Sequence, residues 1–431
     1  MTRYARYKPT GIPWLPEVPD GWEVRRLKNI ATTFRKGSGI TKEDTFEDGD
    51  APCVRYGEIY SKYDGSFSEC LSRTNVRLLA SPQFFSKGDI LFACTGELVE
   101  EIGKSIVYLG NEKCLAGGDI IIASHDQDAR FLNYCLNSSP IQCQKSYGKA
   151  KLKVVHISLR EVAGLHLPLP PLPEQQAIAV YLDSKCGKID RLVAAKEKEV
   201  ALLKELKQSM IAEAVTGRTN NRPMKPSGIP WWPEVPEGWE VRRLKSLFTQ
   251  RHESYSPTEE LQVLSLLKDI GVIPYEEKGN VGNKSKEDIS GYNVARRGDI
   301  VMNSMNVIIG SVDITAYDGY ISPAYYAITA REGVDTRYYN YLFHLKAVQK
   351  HMRSQAKGIL EIRLRISTVA LFGMAFPYPP LSEQRDIVAY IEEKTAKIDA
   401  AVGKLEAEVA ALKEYRERLI ADVVTGQRKV A

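Results

Sequence analysis

The chain has 431 residues, of which 43% are hydrophobic, and its formal net charge is +5. That length predicts two or three folded domains, and the composition argues against a disordered chain. No apolar run reaches the roughly 18 residues of a membrane span, and the first residues lack the apolar core of a signal peptide, so we expect a cytoplasmic protein with no membrane contact. Seven cysteines without a CxxC pair favour neither a disulfide framework nor a zinc site.

An entry segment at residues 11–28, GIPWLPEVPDGWEVRRLK, returns almost unchanged at residues 228–245 as GIPWWPEVPEGWEVRRLK. The two copies differ only at Leu15 against Trp232 and at Asp20 against Glu237. A common fold alone does not require polar, exposed-looking residues to stay so alike. We therefore predict that the segment docks a partner protein, with these residues at the contact: Trp14, Arg25, Arg26, Trp231, Arg242 and Arg243.

Each entry segment is followed by a segment that differs between the copies, at residues 29–167 and 246–376. The two share only landmarks, such as GDI at 88–90 and 298–300, and the helix starts RFLNYCL at 130 and RYYNYLF at 337. We interpret each GDI as a turn that enters a strand. The landmarks predict two mixed α/β domains with a common fold and different surfaces.

Both divergent segments contain a basic stretch in the same relative place. Residues 130–160 hold no Asp or Glu, and residues 337–365 hold Glu361 as their single acid. Such a run is often only a solvated helix face, but its recurrence in two unlike sequences favours phosphate contact. We predict that the following residues lie near nucleic-acid phosphates and mostly position them: Lys145, Lys149, Lys151, Lys153, Arg160, Lys346, Lys350, Arg353, Lys357, Arg363 and Arg365.

Sequence motifs of catalysis are missing. GELVEEIGKS at 96–105 resembles a phosphate loop, but its glycines are seven residues apart instead of five. There is no HExxH, GxSxG or NPPF motif, and the six histidines show no ligand spacing. We therefore predict no catalytic residue and no metal site in this chain.

Two long helices are predicted after the divergent segments, beginning near PPLPEQ at residue 170 and PPLSEQ at residue 379. Apolar residues recur there with a seven-residue period, which is typical of a coiled coil, and each copy places one base in the apolar seam, Lys207 or Arg416. Each helix should span about 39 residues, or roughly 58 Å. We expect the helices to pair with each other, antiparallel about a pseudo-twofold axis, whereas a translational stacking would make them parallel. The predicted docking surface also includes Glu174, Gln175, Glu383 and Gln384 at the helix starts.

The duplicated entry segment, the two GDI-containing domains and the PPLxEQ helices that end in VTG resemble the specificity subunit of a type I restriction-modification system. The resemblance covers the whole chain. It implies an α+β fold with two target recognition domains, each reading one half of an asymmetric, interrupted DNA site, while the paired helices set the distance between them. On this basis we expect target recognition domains at residues 1–167 and 221–376, and spacer helices at residues 168–220 and 377–431.

The same resemblance implies partners that carry the chemistry. These are methyltransferase subunits, expected in two copies, which modify adenine with S-adenosylmethionine, and restriction subunits that use ATP and Mg²⁺. The chain itself would bind double-stranded DNA and no cofactor. Two alternatives remain open: a scaffold that holds two proteins, and not DNA, at a fixed distance, and a restriction-type polypeptide whose catalytic part has been lost or lies elsewhere.

Overall fold

The structure, a computed structural model, describes residues 3–150, 154–219, 222–268, 270–279, 288–358 and 364–430. The chain divides into two units, one formed by residues 1–198 with 406–431 and the other by residues 199–405. Each unit holds one entry segment, one divergent domain and a stretch of both long helices. None of the described helices is both long and apolar enough to cross a membrane.

The first unit consists of short strands with a few short helices between them. Its strands are β1 (Tyr7–Ile12), β2 (Leu15–Pro19), β3 (Glu23–Arg26), β4 (Ala31–Lys36), β5 (Ala51–Val54), β6 (Ser66–Phe67), β7 (Ser72–Thr74), β8 (Phe84–Phe85), β9 (Ile90–Ala93), β10 (Thr95–Gly96), β11 (Ser105–Tyr108), β12 (Cys114–Ala116), β13 (Ile120–His125), β14 (Val155–His156) and β15 (His166–Leu169). Its helices are α1 (Tyr56–Ser61), α2 (Ala129–Leu136), α3 (Ser139–Ser146), α4 (Leu159–Gly164) and the start of α5 (Leu172–Val215).

The first domain is built on a five-stranded sheet in the order β4, β13, β9, β11, β6, beside a four-stranded sheet in the order β7, β5, β12, β8. Side chains alternate along a strand, so Ile90 and Phe92 of β9 enter a core shared with α2, whereas Leu91 and Ala93 enter a second core on the opposite face. The sheet is covered on both faces. That explains why β9 is apolar at every position.

The second unit repeats this plan. Its strands are β16 (Met224–Ile229), β17 (Trp232–Pro236), β18 (Glu240–Arg243), β19 (Phe248–Gln250), β20 (Gln262–Leu267), β21 (Gly271–Pro274), β22 (Asn293–Ala295), β23 (Ile300–Asn303), β24 (Val312–Ile314), β25 (Gly319–Ile321), β26 (Tyr325–Ala330) and β27 (Ala375–Tyr378). Its helices are α6 (Leu244–Leu247), α7 (Thr336–Phe343), α8 (Lys346–Gln355), α9 (Thr368–Gly373) and the start of α10 (Leu381–Val424).

The sheet order β19, β26, β23, β24 corresponds to β4, β13, β9, β11 in the first unit. Ile300 and Met302 of β23 enter one core and Val301 enters another, as in β9. The turns before both strands hold a glycine at positive φ, 90° at Gly88 and 92° at Gly298, a conformation that glycine adopts at no steric cost. The prediction of two similar mixed α/β domains is confirmed, and GDI is a turn that enters a strand.

Helices α5 and α10 each contain 44 residues, about five more than predicted, because they begin directly after Pro171 and Pro380. In the first unit, Asp190 and Lys196 of α5 form ion pairs with Arg416 and Glu408 of α10, at 2.7 and 2.5 Å. Residue numbers rise along one helix while they fall along the other. The predicted antiparallel pairing is therefore confirmed.

The two basic residues in the apolar seams have acidic partners on the facing helix. In the first unit, Nε of Arg416 lies 2.7 Å from Oδ1 of Asp190. In the second unit, Nζ of Lys207 donates to both carboxylate oxygens of Asp399 at 2.7 Å. Both units thus use the same pair of positions. The apolar seam tolerates a basic side chain there because the facing aspartate neutralises its charge.

Candidate nucleic-acid interface

Helix α8 gathers three of the predicted DNA-facing residues on one face. Val348 and Met352 are fully buried and hold the helix against the second domain. Lys346, Lys350 and Arg353 follow at spacings of four and three residues, which places them on the opposite, exposed side. The arrangement presents a compact positive surface, as phosphate binding requires. An ordinary solvated helix face would look the same.

The remaining predicted residues of the second domain lie beyond α8. Lys357 and Arg365 are exposed, and their backbones pair in an antiparallel bridge. Nε of Arg365 donates to Oγ of the buried Ser304 at 2.9 Å, which fixes the direction of the arginine side chain. Arg363 lies outside the described residues.

Lys145 is a correction to the predicted set. Its side chain lies inside the first domain, only 2% exposed, and Nζ donates to the carbonyl oxygen of Gly103 at 2.7 Å. Burial disfavours the charged ammonium and lowers the pKa of Lys145 to about 7. A side chain held in this way cannot reach a phosphate, because the end of α3 packs into the core and not toward solvent.

Lys149 also makes contacts inside its own domain. Nζ donates to the carbonyl oxygen of His156 at 2.6 Å and to a carboxylate oxygen of Glu161 at 2.8 Å. Arg160, the neighbour of Glu161 on α4, is exposed. Lys151 and Lys153 lie outside the described residues. Among the predicted residues of this domain that the structure describes, Arg160 is therefore the one exposed to solvent.

Arginines at the beginning of both basic stretches attach the domains to the long helices. Arg130 of α2 binds Asp183 of α5 at 2.7 Å, and the hydroxyl of Tyr134 donates to the same carboxylate at 2.9 Å. In the second unit, Arg337 of α7 lies 3.3 Å from Glu392 of α10. Part of the positive charge counted in the sequence therefore fixes α2 and α7 to the spacer. The sequence signal for this contact was an acidic residue at the same position of each long helix, Asp183 in α5 and Glu392 in α10.

The GDI motifs are held by a buried ion pair that sequence reasoning missed. Asp299 is fully buried and receives two bonds from Arg251, at 2.5 and 3.0 Å. In the first domain, Arg35 lies 3.4 Å from Asp89, the equivalent aspartate, and makes a longer contact with it. Each arginine comes from the beginning of its domain, at or just after the first strand of the sheet. The motif is thus part of the fold and not of a binding site.

Two of the predicted docking residues at the helix starts, Gln175 and Gln384, also face inward, which is a second correction. Gln175 and Gln384 are completely buried, and their side-chain oxygens accept the backbone N–H groups of Asp128 at 3.1 Å and Asp335 at 2.8 Å. Glu174 accepts a bond from Trp22 Nε1 at 3.1 Å. Glu383 accepts one from Trp239 at 2.9 Å and another from Arg222. These contacts join the helix start to the domain and entry segment.

The end of each long helix packs against an entry segment. Gly426 has φ of 74°, and a Cβ there would lie 2.4 Å from Pro19 Cδ. In the second unit, a Cβ on Gly217 would lie 2.5 Å from Pro236 Cγ. Close packing of the VTG glycine on the PxGW turn explains why both stretches repeat so closely.

The other predicted docking residues are partly or fully accessible. Arg25, Arg26 and Arg243 are exposed on β3 and β18, and Arg242 is half-buried over the ring of Tyr378 at 3.8 Å. The two entry-segment tryptophans are half-buried and pack on the recognition domains. The Trp14 ring lies 5.5 Å from that of Tyr147, and the Trp231 ring stacks on His351 at 4.3 Å. Among the described residues, no cluster of His, Cys, Asp or Glu is arranged to hold a metal ion.

Known proteins of similar sequence span nearly the whole chain. The putative type I restriction enzyme MjaX specificity subunit of Methanocaldococcus jannaschii is 26% identical, over 96% of this chain and 95% of its own length. The MjaVIII specificity subunit of the same organism is 24% identical, over 96% of this chain and 94% of its own. A third relative matches a shorter part: the EcoKI specificity subunit of Escherichia coli is 24% identical over 48% of this chain and 45% of its own length.

Two solved structures share the fold. One, from a study of complex assembly and conformational transition in the type I R-M system, aligns with a TM-score of 0.71 over 94% of this chain and 98% of its own, at 17% identity. The HsdS subunit from Thermoanaerobacter tengcongensis aligns with a TM-score of 0.53 over 95% of this chain, also at 17% identity. Residues 19–201 and 236–410 each match the family described as the type I restriction modification DNA specificity domain. The chain therefore belongs to that family and contains its domain twice.

Proposed function

We propose that the chain is the specificity subunit of a type I restriction-modification enzyme and reads an asymmetric, bipartite DNA site. The observation that carries the proposal is the pair of DNA specificity domains on one fold with different surfaces. Relatives named as specificity subunits match over almost the full length, which supports the same role here. In this role the chain is not itself catalytic. Each domain contributes one half of the site.

We retain the division into target recognition domains at residues 1–167 and 221–376, with spacer helices at 168–220 and 377–431. Arg160 in the first domain and the α8 face in the second are the cations best placed for phosphates. The set of proposed DNA contacts comprises Arg160, Lys346, Lys350, Arg353, Lys357 and Arg365, with Lys151, Lys153 and Arg363 kept from the sequence alone. Lys145 is left out because it is buried, and Lys149 is left out because its amino group binds His156 and Glu161 of its own domain.

The proposed partners are double-stranded DNA, two methyltransferase subunits and restriction subunits, together in the cytoplasm. S-adenosylmethionine, ATP and Mg²⁺ would be bound by those subunits. Trp14, Trp231 and the accessible arginines of β3 and β18 remain the proposed docking surface, because they belong to the repeated segment and keep access to solvent. Arg25 and Arg242 each pair with a glutamate of the same strand, so their charge would be partly compensated there.

The proposal is tested by purifying the chain with its methyltransferase subunit and mapping the modified adenines across a bacterial genome. We expect one interrupted motif whose two halves differ. The complex should also bind a duplex carrying that motif more tightly than an unrelated duplex, with an affinity that falls as salt rises. A stable complex that leaves DNA unmodified and unbound would contradict the proposal and favour a protein scaffold.

A further inference from the structure

A tight turn follows helix α3 in the first domain. Tyr147 has φ of −58° and ψ of 126°, Gly148 has φ of 72°, and the N–H of Lys149 donates to the carbonyl of Ser146 at 3.1 Å. These values describe a type II β-turn with Tyr147 at its second position and glycine at the third, where positive φ is required. Tyr147 therefore lies at the corner of the turn, directly after the helix.

Both sides of the turn are fixed to the body of the domain. On the helix side, Lys145 Nζ binds the carbonyl of Gly103 at 2.7 Å, and the side chain of Gln144 donates to the carbonyl of His166 at 2.9 Å. On the other side, Lys149 binds His156 and Glu161. The two lysines that the sequence placed at phosphates thus anchor the turn instead. A turn held at both ends can present a side chain in a fixed position.

Tyr147 is the residue that this turn presents. It is 76% exposed, more than any other large hydrophobic side chain in the described part of the first unit. The ring of Trp14 supports it from one side, at 5.5 Å between centroids. The ring contributes little to the stability of its own domain, because most of its apolar area remains in water.

The charge around the turn favours nucleic acid as the group that covers this ring. Residues 139–160 contain no acid, and the carboxylate of the next residue, Glu161, is paired with Lys149. The bond from Lys149 to Glu161 brings the turn beside α4, where Arg160 is exposed. Nucleic-acid-binding surfaces often combine an arginine that binds a phosphate with an aromatic ring that packs against a base. The second domain differs here, because Trp231 stacks on His351 within α8.

We propose that Tyr147 contacts DNA directly and that its ring inserts at one base step of the half-site read by the first domain, where the opened step lets the ring stack on one base. This inference rests on the function proposed above and adds a contact that depends on the ring and not on charge. The stacked base lies in one half-site only, because the second domain presents no such tyrosine in its described residues. Stacking tolerates different bases, so the contact adds affinity and fixes register more than it reads sequence.

The test uses the complex of the full chain with its methyltransferase subunit and a duplex carrying the motif mapped for the wild type. Tyr147→Ala is expected to weaken binding at least about 5-fold and at most about 150-fold, because one base–aromatic stack contributes about that range on a single strand and the opening of a duplex base step offsets part of it. Tyr147→Phe keeps the ring and is expected to bind as the wild type does. The slope of affinity against salt should stay unchanged for both, whereas Arg160→Ala should reduce it by about 0.9. Leu71→Ala, at another exposed apolar residue of the same unit, is the matched control and should have no effect.

A second arm locates the base. Each position of the duplex is replaced in turn by an abasic site, and binding of the wild type and of Tyr147→Ala is compared. At one position, within one half-site, the loss of the base should weaken the wild type but not the variant, because the two changes remove the same contact. Melting temperatures of the variants should equal that of the wild type, since the side chain is exposed.

Several outcomes would overturn the inference. Equal affinity of Tyr147→Ala and the wild type would show that the ring makes no DNA contact. An equal loss in Tyr147→Ala and Tyr147→Phe would assign the contact to the hydroxyl group. Loss of the methyltransferase subunit from Tyr147→Ala would assign the surface to a protein partner. If the wild-type complex itself shows no preference for the mapped duplex, the function proposed above fails, and that result is distinct from a failure at Tyr147.

Discussion

Lysines from equivalent basic stretches have opposite environments in this protein. Lys145 lies in the core of the first domain with its amino group on the carbonyl of Gly103, whereas Lys350 lies on the exposed face of α8. Both are counted alike when charge is read from the sequence. Their surroundings decide which of them can meet a phosphate.

Salt dependence separates these two lysines. Lys350→Ala should lower the slope of log affinity against log salt by about 0.9, because one phosphate contact and its counterion release are lost. Lys145→Met is the matched control, and we expect the same slope as in the wild type. The measurement is DNA binding by the methyltransferase-containing complex at several salt concentrations. Equal slopes for the wild type and Lys350→Ala would remove Lys350 from the interface.

The burial of Lys145 should also appear as a pH dependence of stability. Burial lowers the pKa of Lys145 to about 7, whereas in the unfolded chain a lysine titrates near about 10.4. Between these values the unfolded chain binds one more proton than the folded one, so the free energy of unfolding rises with pH, by up to about 1.4 kcal/mol per pH unit. Below about pH 7 both states are protonated and this dependence disappears.

The check compares the wild type with Lys145→Met in denaturant unfolding at pH 7 and pH 9. The wild type should gain stability relative to the variant between the two pH values. Parallel profiles would mean that the ammonium group is solvated in the folded protein. Lys350→Met serves as the control, because an exposed lysine contributes no such difference.

At the scale of elements, the repeated segments are alike because they pack against one another. The carbonyl of Gly426, after α10, accepts a bond from the hydroxyl of Tyr7 on β1 at 2.8 Å, and Trp22 binds Glu174 at the start of α5. The end of one long helix and the start of the other therefore meet at one entry segment in the first unit. The surface available for a partner is the remainder, chiefly the arginines of β3 and β18.

Two glycine substitutions test this packing, because they are expected to change the stability of the protein in opposite directions. Gly426→Ala should destabilise the protein by about 1–3 kcal/mol, because alanine is strained at positive φ and its Cβ would meet Pro19. Gly187→Ala, inside α5 with open space around its Cα, should stabilise the protein by up to about 1 kcal/mol. Thermal unfolding of both variants provides the comparison. A neutral Gly426→Ala would show that the helix end does not pack tightly.

At the scale of the whole molecule, the repeat and the periodicity of the sequence predicted the architecture. The seven-residue period predicted the paired helices, a pseudo-twofold relation of the two copies predicted their antiparallel order, and the GDI landmarks predicted equivalent sheets. The site was less predictable, since the inward direction of Lys145, Gln175 and Gln384 depends on contacts distant in sequence. A run of charge shows which residues are near one another, but not which of them point outward. The exposure of Tyr147 had no sequence signal, because tyrosines are more often core residues.

The division of labour between the two domains can be tested by replacing residues 246–376 with a second copy of residues 29–167. The modified adenines of this variant are then mapped beside those of the wild type, each in complex with the methyltransferase subunit. We predict that the wild type marks an interrupted motif with two different halves, and that the variant marks one whose halves are both the half-site of the first domain. A variant that assembles and still marks the wild-type motif would contradict the assignment of one half-site to each domain.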